Sequence, residues 1–415
     1  MLFILIVLAF IGTPLFAILA GISLYGFATQ DSPGSAVIIE MARMAGTSTL
    51  VPIPLFALTG YIMAAGSGPK RLVTFAQSLL GWLPGGLAVA CLAASALFTA
   101  LTGASGVTII ALGGLLFPAL LSAGYRERFS LGLVTTSGSL GLLFPPSLPL
   151  IIYGFIAEVS VDDLFRAGLL PGAFLIVILG VYGGITAKRQ GVTRVPVDGK
   201  TAWRAFRSAA GELILPILVL GGIYGGILTV SEAAALAALY SIVLTVLIRR
   251  ELSFRRTIQV VRESMVLVGG ILIILCAAMG LTSYLVDIQL PMKVLAGMEG
   301  HVGSKIVFLL LLNGLLLVVG CLMDIFSALV VVAPLVIPLA TRFGIDPVHL
   351  GIIFLTNLEI GYSTPPVGLN LFVSSLRFNR SIITLYAASL PFLALLLAAL
   401  ALITYWPPLS LFLVG

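Results

Sequence analysis

The sequence predicts an all-α polytopic membrane protein, with inverted repeats that each hold a re-entrant hairpin and a Pro-Pro-broken helix. Three observations predict it. Of 415 residues, 60% are hydrophobic and only 9% charged, too little charge for a soluble surface. Long apolar stretches alternate with short basic loops. Two of those stretches contain adjacent prolines, Pro145-Pro146 and Pro365-Pro366, each of which lacks an N–H and clashes with the preceding helical turn.

Taken in order, the run 2–27 has no basic n-region and no cleavage signature, so it reads as a span. Residues 48–66 give a second span. Residues 84–123 are an apolar pair interrupted by TGASG at 102–106, either two spans or one hairpin that enters and leaves on the same side. Residues 130–157 form a span broken within GLLFPPS. Full spans follow at 168–187, 212–229, 232–248 and 266–286. A second apolar pair, 304–341, turns near GCLMD at 320–324, and a second broken span, 349–376, contains GYSTPPV. The last span is 384–412. Segments 200–210 and 251–264 mix Trp203, Phe206, Phe254 and Val260 with Arg204, Arg207, Arg255 and Arg256, the pattern of interfacial helices on the inner surface. The expected organisation is a scaffold span in 1–47, a first repeat in 48–157, scaffold spans and surface helices in 158–265, a second repeat in 266–376 and a C-terminal span in 377–415.

Basic residues set the orientation. With the N-terminus cytoplasmic, loops 67–72, 124–129, 188–211, 249–263 and 377–380 hold 17 of the 22 lysines and arginines. Arg43, Arg166, Lys293, Lys305 and Arg342 fall outside. The C-terminus is then outside. The positive charge is a topology signal and implies no nucleic acid. Cys91, Cys276 and Cys321 are isolated, and the two histidines are far apart. No haem, zinc or iron–sulfur spacing exists, and no phosphate-binding Walker sequence. The composition therefore points away from an enzyme, from an ATP-driven pump and from a redox complex, and no cofactor is expected.

GLLFPPS and GYSTPPV lie 220 positions apart. The same ungapped offset pairs Gly60 with Gly280, Pro118 with Pro338, Gly124 with Gly344, and Ser137 with Asn357. Five crossings separate the two hairpins on this reading, so the repeats are inverted. Inverted repeats with broken helices are the architecture of secondary transporters. Irregular backbone at membrane depth lines a cavity or lies shielded in protein, where carbonyls and helix N-termini can hold ions.

Between the tips and the breaks lie Ser105, Ser137, Ser139, Ser147, Asp324, Asn357, Ser363, Thr364 and Asn370. With backbone carbonyls they make a hard-oxygen set suited to Na⁺. Asp324 is a charge at membrane depth, by default functional, or else a helix N-cap. Glu232, after TVSE begins, reads as a helix-start residue. Glu359 is either a coupling site or a helix-packing residue. No Lys or Arg occurs within the broken spans or the pair interiors. An anionic substrate would be balanced by helix N-termini, hydroxyls and co-bound cations.

The motifs LTGYIMAAG at 58–66, TGASG, GLLFPPSLPLIIYG at 141–154, LFRAGLLPG at 164–172, TVSEAAALAALY at 229–240 and NLEIGYSTPPVGLNLF at 357–372 resemble, in order and spacing, the large membrane subunit of tripartite ATP-independent periplasmic (TRAP) transporters. The resemblance runs over nearly the whole chain. It implies Na⁺-driven import of an organic acid, substrate delivery by a periplasmic substrate-binding protein, and a small four-helix membrane subunit as partner, separate or fused. It also implies an elevator-type transport domain sliding against a scaffold in the lipid bilayer. Carried over by motif, the tip residues Ser105, Gly106 and Asp324 and the break residues Gly141, Pro145, Pro146, Ser147, Asn357, Gly361, Thr364, Pro365, Pro366 and Gly368 should surround cargo and ions. Na⁺ is expected at Ser105, Gly141, Asp324, Gly361, Thr364 and nearby carbonyls. One departure is the tip Gly103-Ala104-Ser105-Gly106, where many members carry a Gly-Ser-Ser-like tip with one more hydroxyl. The alternative function is an autonomous ion-coupled elevator-type anion transporter without a binding protein.

Overall fold

A computed structural model describes residues 13–30, 34–192, 198–290, 293 and 304–414. Residues 2–12 of the first expected span and Arg194 of the inside set lie outside them. The described residues form helices and no strands. Among them, seven helices are long and apolar enough to cross a membrane, or nine if two bent helix pairs each count as one span.

The chain runs through α1 (Leu15–Thr29), α2 (Ser35–Ala45) and α3 (Pro52–Ala65). The 67–72 stretch, expected as a loop, instead opens an amphipathic helix, α4 (Gly68–Leu80). Pro69 stands in its first turn, and Leu72, Val73 and Ala76 bury one face. Only its charged start reads as loop, because an apolar stripe this short gives no span signal. Arg71 of α4 pairs with Glu212 and with Glu251, and Arg249 pairs with Glu212 at 2.8 Å. Buried Glu212, far along the chain, therefore ties α4 to Arg249.

The first hairpin is α5 (Gly86–Thr102) and α6 (Ser105–Ala111), with α7 (Gly113–Ser122) continuing at a 50° bend. The first broken span is α8 (Glu127–Ser137), a 3₁₀ turn Leu140–Leu143, and α9 (Leu148–Ala157), bent by 44°. Next come α10 (Val161–Gln190), α11 (Gly199–Tyr224), α12 (Val230–Ile242, extended by a π turn Val243–Ile248) and α13 (Phe254–Asp287). Separate interfacial helices at 200–210 and 251–264 do not form. Both segments are the first turns of the long helices α11 and α13, capped by Asp198 and Ser253. An uninterrupted helix keeps every i→i−4 bond, which a break would forfeit. The second hairpin is α14 (Lys305–Leu322) with α15 (Ile325–Arg342), and the second broken span is α16 (Pro347–Gly361) with α17 (Leu369–Phe378). The chain closes with α18 (Ile382–Tyr405) and α19 (Pro408–Leu411).

The offset seen in the sequence recurs in the element ends. α5 and α14 stop at Thr102 and Leu322, α6 and α15 start at Ser105 and Ile325, and α8 and α16 start at Glu127 and Pro347. All three pairs are 220 positions apart. Gly124 and Gly344 both take positive φ, and both Pro-Pro bonds are cis. The contacts are reciprocal too: α6 packs on α17, and α9 packs on α15. Each hairpin thus lays its second helix on the half-helix beyond the other repeat's break.

Candidate ion and substrate site

Glycine brings each break against its own hairpin. A Cβ on Gly141 would stand 2.1 Å from the Ala96 carbonyl oxygen and 2.5 Å from the Ala100 nitrogen of α5. A Cβ on Gly361 would stand 2.5 Å from the Gly320 carbonyl carbon of α14. Gly141 and Gly361 correspond at the offset, and so do Ala100 and Gly320. Only a residue without a side chain permits this approach, which sets unwound backbone beside each hairpin tip.

The first break is closed on itself. Ser147 stands at the N-cap position of α9 but does not cap it: its hydroxyl donates to the Leu142 carbonyl at 2.5 Å. Thr99 and Thr108, one on each arm of the hairpin, share a hydrogen bond of 2.7 Å, and Thr99 also donates to Gly138 O at 2.8 Å. Ser137 donates to Ser95 at 3.2 Å. Thr135 reaches Ser374 of α17 at 2.9 Å. Pro145 and Pro146 are buried, as is Ser105 at the first position of α6. Gly106 faces Val373 of α17, 3.5 Å from where its Cβ would lie.

The second break is tied to its tip yet open. The Ile325 amide donates to the Tyr362 hydroxyl at 2.5 Å, and the Gly368 amide donates to Cys321 O at 3.1 Å. Thr364 donates its hydroxyl back to Ile360 O at 2.8 Å. Pro365 and Pro366 are exposed. Asn357 is fully buried and donates to Asn313 Oδ1 at 2.7 Å and to Ile353 O at 2.8 Å. Asn313 in turn donates to Thr404 of α18 at 3.2 Å. Among the described residues, Asn357 Oδ1, Asn370 Oδ1, Ser363 Oγ and both Glu359 carboxylate oxygens are buried with no hydrogen-bond partner.

Asp324 takes the helix-cap position, the second of the two readings its sequence left open. Its side chain is exposed, and its carboxylate accepts from the amides of Phe326 and Ser327 at 3.0 Å each and from the Ser327 hydroxyl. It is the N-cap of α15, and the cap satisfies the orphan donors of the first turn. Glu232 likewise completes a capping box with Thr229. The structure thus brings Ser105, Ser137, Ser139, Gly141, Ser147, Asn357, Gly361, Gly368 and Asn370 into buried positions around the two breaks. It leaves Asp324, Pro365 and Pro366 at the surface, with Thr364 half-buried. Sequence reasoning missed Ser95, Thr99, Thr108 and Asn313. Their only signal was a polar side chain inside an apolar pair. Among the described residues no group of three or more His, Cys, Asp or Glu gathers to hold a metal.

Comparison with known proteins agrees with this architecture. The sequence profile of the tripartite ATP-independent periplasmic transporter, DctM component, matches residues 1–409. The C4-dicarboxylate TRAP transporter large permease protein of Vibrio cholerae is 36% identical, over 99% of this chain and 96% of its own length. The ectoine TRAP transporter large permease protein of Halomonas elongata is 32% identical, over 98% and 96%. The isethionate TRAP transporter permease protein of Oleidesulfovibrio alaskensis is 37% identical over 98% of this chain, which spans only 64% of that longer protein. The YdaH transporter of Alcanivorax borkumensis shares the fold, with a TM-score of 0.62 and 18% identity over 91% of this chain and 89% of its own. The chain is a multi-pass membrane transport protein rather than an enzyme, and it belongs to the DctM family of TRAP transporter large permease proteins.

Proposed function

We propose that this chain is the large transmembrane subunit of a Na⁺-coupled importer of an organic acid, fed by a periplasmic substrate-binding protein and completed by a small four-helix membrane subunit. The observation that carries this reading is the pair of proline breaks, each seated by a glycine against its own hairpin beside the tip. Relatives whose names specify C4-dicarboxylate, sialic acid and ectoine support a small carboxylate cargo. In this reading Na⁺ binds at the breaks through Ser105, Gly141, Asp324, Gly361, Thr364 and neighbouring carbonyls, and orders the tips. Ordered tips complete an oxygen-lined pocket to which Ser137, Ser139, Asn357 and Asn370 contribute. Asp324 would leave its cap to take part.

The binding protein docks outside and releases substrate into that pocket. A transport domain comprising 48–157 and 266–376 then moves inward against a scaffold, with the N-terminus cytoplasmic, the C-terminus periplasmic and the whole in the cytoplasmic membrane. Coupling requires that ions and substrate favour the same state. The test is uptake of radiolabelled organic acids into proteoliposomes holding this chain, its small subunit and its binding protein, with and without an inward Na⁺ gradient. Uptake that needs both the gradient and the binding protein is the expected result. Uptake without the binding protein identifies an autonomous transporter, and uptake indifferent to Na⁺ removes the coupling ion.

A further inference from the structure

Three cavities run together at the end of the molecule that carries the basic 124–129 and 188–211 loops. The first, about 450 Å³, lies between α4, the start of α5, the end of α7 and the start of α11. The second, about 280 Å³, shares Gly85 and Val192 with it. The third, about 440 Å³, shares Pro84 and Lys188 with the second and runs between α5 and α10. The chemistry changes along that path from polar to apolar.

The first cavity holds unpaired donors. α5 begins there without a cap, because its N-cap residue Gly85 takes φ +78° and has no side chain to offer. A Cβ at Gly85 would stand 2.5 Å from Gly184 Cα of α10, so the approach of α10 keeps a capping residue out. The Gly86 amide is bonded to Leu83 O, but the Leu87 and Ala88 amides have no acceptor among the described residues. Orphan amides at a helix N-terminus attract anions. Tyr125, 3% exposed, lines the same cavity, and its hydroxyl has no hydrogen-bond partner. The Ala88 amide leans toward that phenol oxygen without reaching hydrogen-bond geometry, and the phenol proton has no acceptor. Burial pushes the Tyr125 pKa up to about 12, so this proton stays in place to be donated. The Gln77 side chain, also on the wall, is bonded to no described residue. No acidic residue lines the cavity.

The third cavity is apolar. Val177, Val181 and Ile185 of α10 line it and stay exposed, and Gly180 and Gly184 between them give it depth. Lys188 stands where this groove meets the second cavity and lines both. It is one turn beyond Gly184, hence on the same face, and among the described residues it has no hydrogen-bond or ion-pair partner. The acids on adjoining elements are engaged: Asp198 caps α11, and Glu127 pairs with Arg380 at 2.6 Å. From Lys188 back to Val177 is 11 residues of helix, about 16 Å at 1.5 Å each. That is close to half of a hydrocarbon core about 30 Å thick.

We propose that this path holds one anionic phospholipid, with its phosphate at the start of α5 among the Leu87 and Ala88 amides, Tyr125 and Lys188, and an acyl chain in the groove between α5 and α10. A free anion would fill the polar cavity and leave the exposed groove, one leaflet long, without use. A zwitterionic lipid would fill the groove but bring a positive group to a helix N-terminus and a lysine. Occupied, the site gives the uncapped start of the first hairpin the acceptor it lacks. It depends on the chain's place in a membrane and not on Na⁺ coupling.

The experiment uses the detergent-purified complex of this chain with its small subunit. The complex is delipidated, then titrated with phosphatidylglycerol or with phosphatidylcholine of the same chains, and bound lipid is counted by native mass spectrometry. One phosphatidylglycerol should bind more tightly than any phosphatidylcholine. Lys188→Gln should weaken that one site roughly fivefold, the share of one lysine near a lipid surface, and Tyr125→Phe should weaken it too. Val181→Trp, which fills the groove and spares every polar group, should weaken binding of both lipids. Arg255→Gln, which removes an exposed basic residue from the first turn of α13, should change nothing. Equal affinity for the two lipids, or a loss in Arg255→Gln as large as in Lys188→Gln, would overturn the site in favour of diffuse attraction to the surface. Displacement of phosphatidylglycerol by equimolar inorganic phosphate would overturn the lipid and leave a free-anion site. Wild-type binding in both Lys188→Gln and Tyr125→Phe would overturn the assignment of the phosphate to the start of α5.

Discussion

The first and second breaks share a glycine, two prolines and a hairpin, yet they are finished differently. At the first, the prolines are buried and the hydroxyls of Thr99, Ser137 and Ser147 all find partners. At the second, the prolines are exposed and oxygens of Asn357, Glu359, Ser363 and Asn370 have none. A satisfied polar network rigidifies, whereas an unsatisfied one invites a ligand or a rearrangement. The same backbone device is therefore closed by hydrogen bonds in one repeat and left with unpartnered buried oxygens in the other.

The largest effects should come from the shared part. Gly141→Ala and Gly361→Ala each drive a Cβ into hairpin backbone, and overpacking costs about 1–3 kcal/mol or more when backbone has to move. Both should lower the melting temperature of the detergent-purified complex, Gly141 more, because its clash is with a helix carbonyl at 2.1 Å. Equal melting to wild type would show that the glycines are not what seats the breaks. Next in size is Asn357→Ala, which removes the 2.7 Å donor to buried Asn313 Oδ1 and should cost about 1–3 kcal/mol. Ser137→Ala, its counterpart, should cost less, since Ser95 regains a helix carbonyl; a larger loss at Ser137 would reverse the contrast.

Asp324→Ala removes the cap of α15 and should cost about 0.5–2 kcal/mol. If the carboxylate also leaves its cap for an ion, uptake should fall and its Na⁺ dependence change, and unaltered uptake at every Na⁺ concentration would keep Asp324 as a cap alone. Ser147→Ala loses one buried bond to Leu142, about 1 kcal/mol, with Na⁺ dependence unchanged. A shifted Na⁺ dependence would add the Ser147 hydroxyl to the ion's ligands. The smallest effect serves as a control outside both breaks. Burial raises the Glu251 carboxyl, but hydrogen bonds from Arg71 and the Ser67 amide outweigh it and hold the pKa below its ordinary 4.5. The stability that Glu251 contributes is present above pH 4.5 and lost as pH falls through the depressed value. Wild type and Glu251→Gln should therefore differ at neutral pH and converge in acid, as read by melting temperature.

Much of this was legible in the residues. The offset of 220 could be read because Gly and Pro mark backbone conformation directly, and the element ends obey it. The tips at 102–106 and 320–324 were legible for the same reason, as small or polar residues interrupting an apolar run. The interfacial helices and the 67–72 loop misread the basic segments. Amphipathic composition does not tell a surface helix from the first turns of a long span, and Arg71 looks like loop charge until Glu212 and Glu251 are brought to it.

By itself the sequence determined the class, most of the apolar helices and the 220-residue spacing of the breaks, since hydropathy and proline act locally and need no distant partner. Tertiary structure alone decided which polar groups are satisfied. Whether Asp324 is a buried charge or an exposed cap, and whether Glu359 has a partner, depends on side chains from helices far away in the chain. Hydrogen bonding and burial are properties of that assembly, and no single segment encodes them.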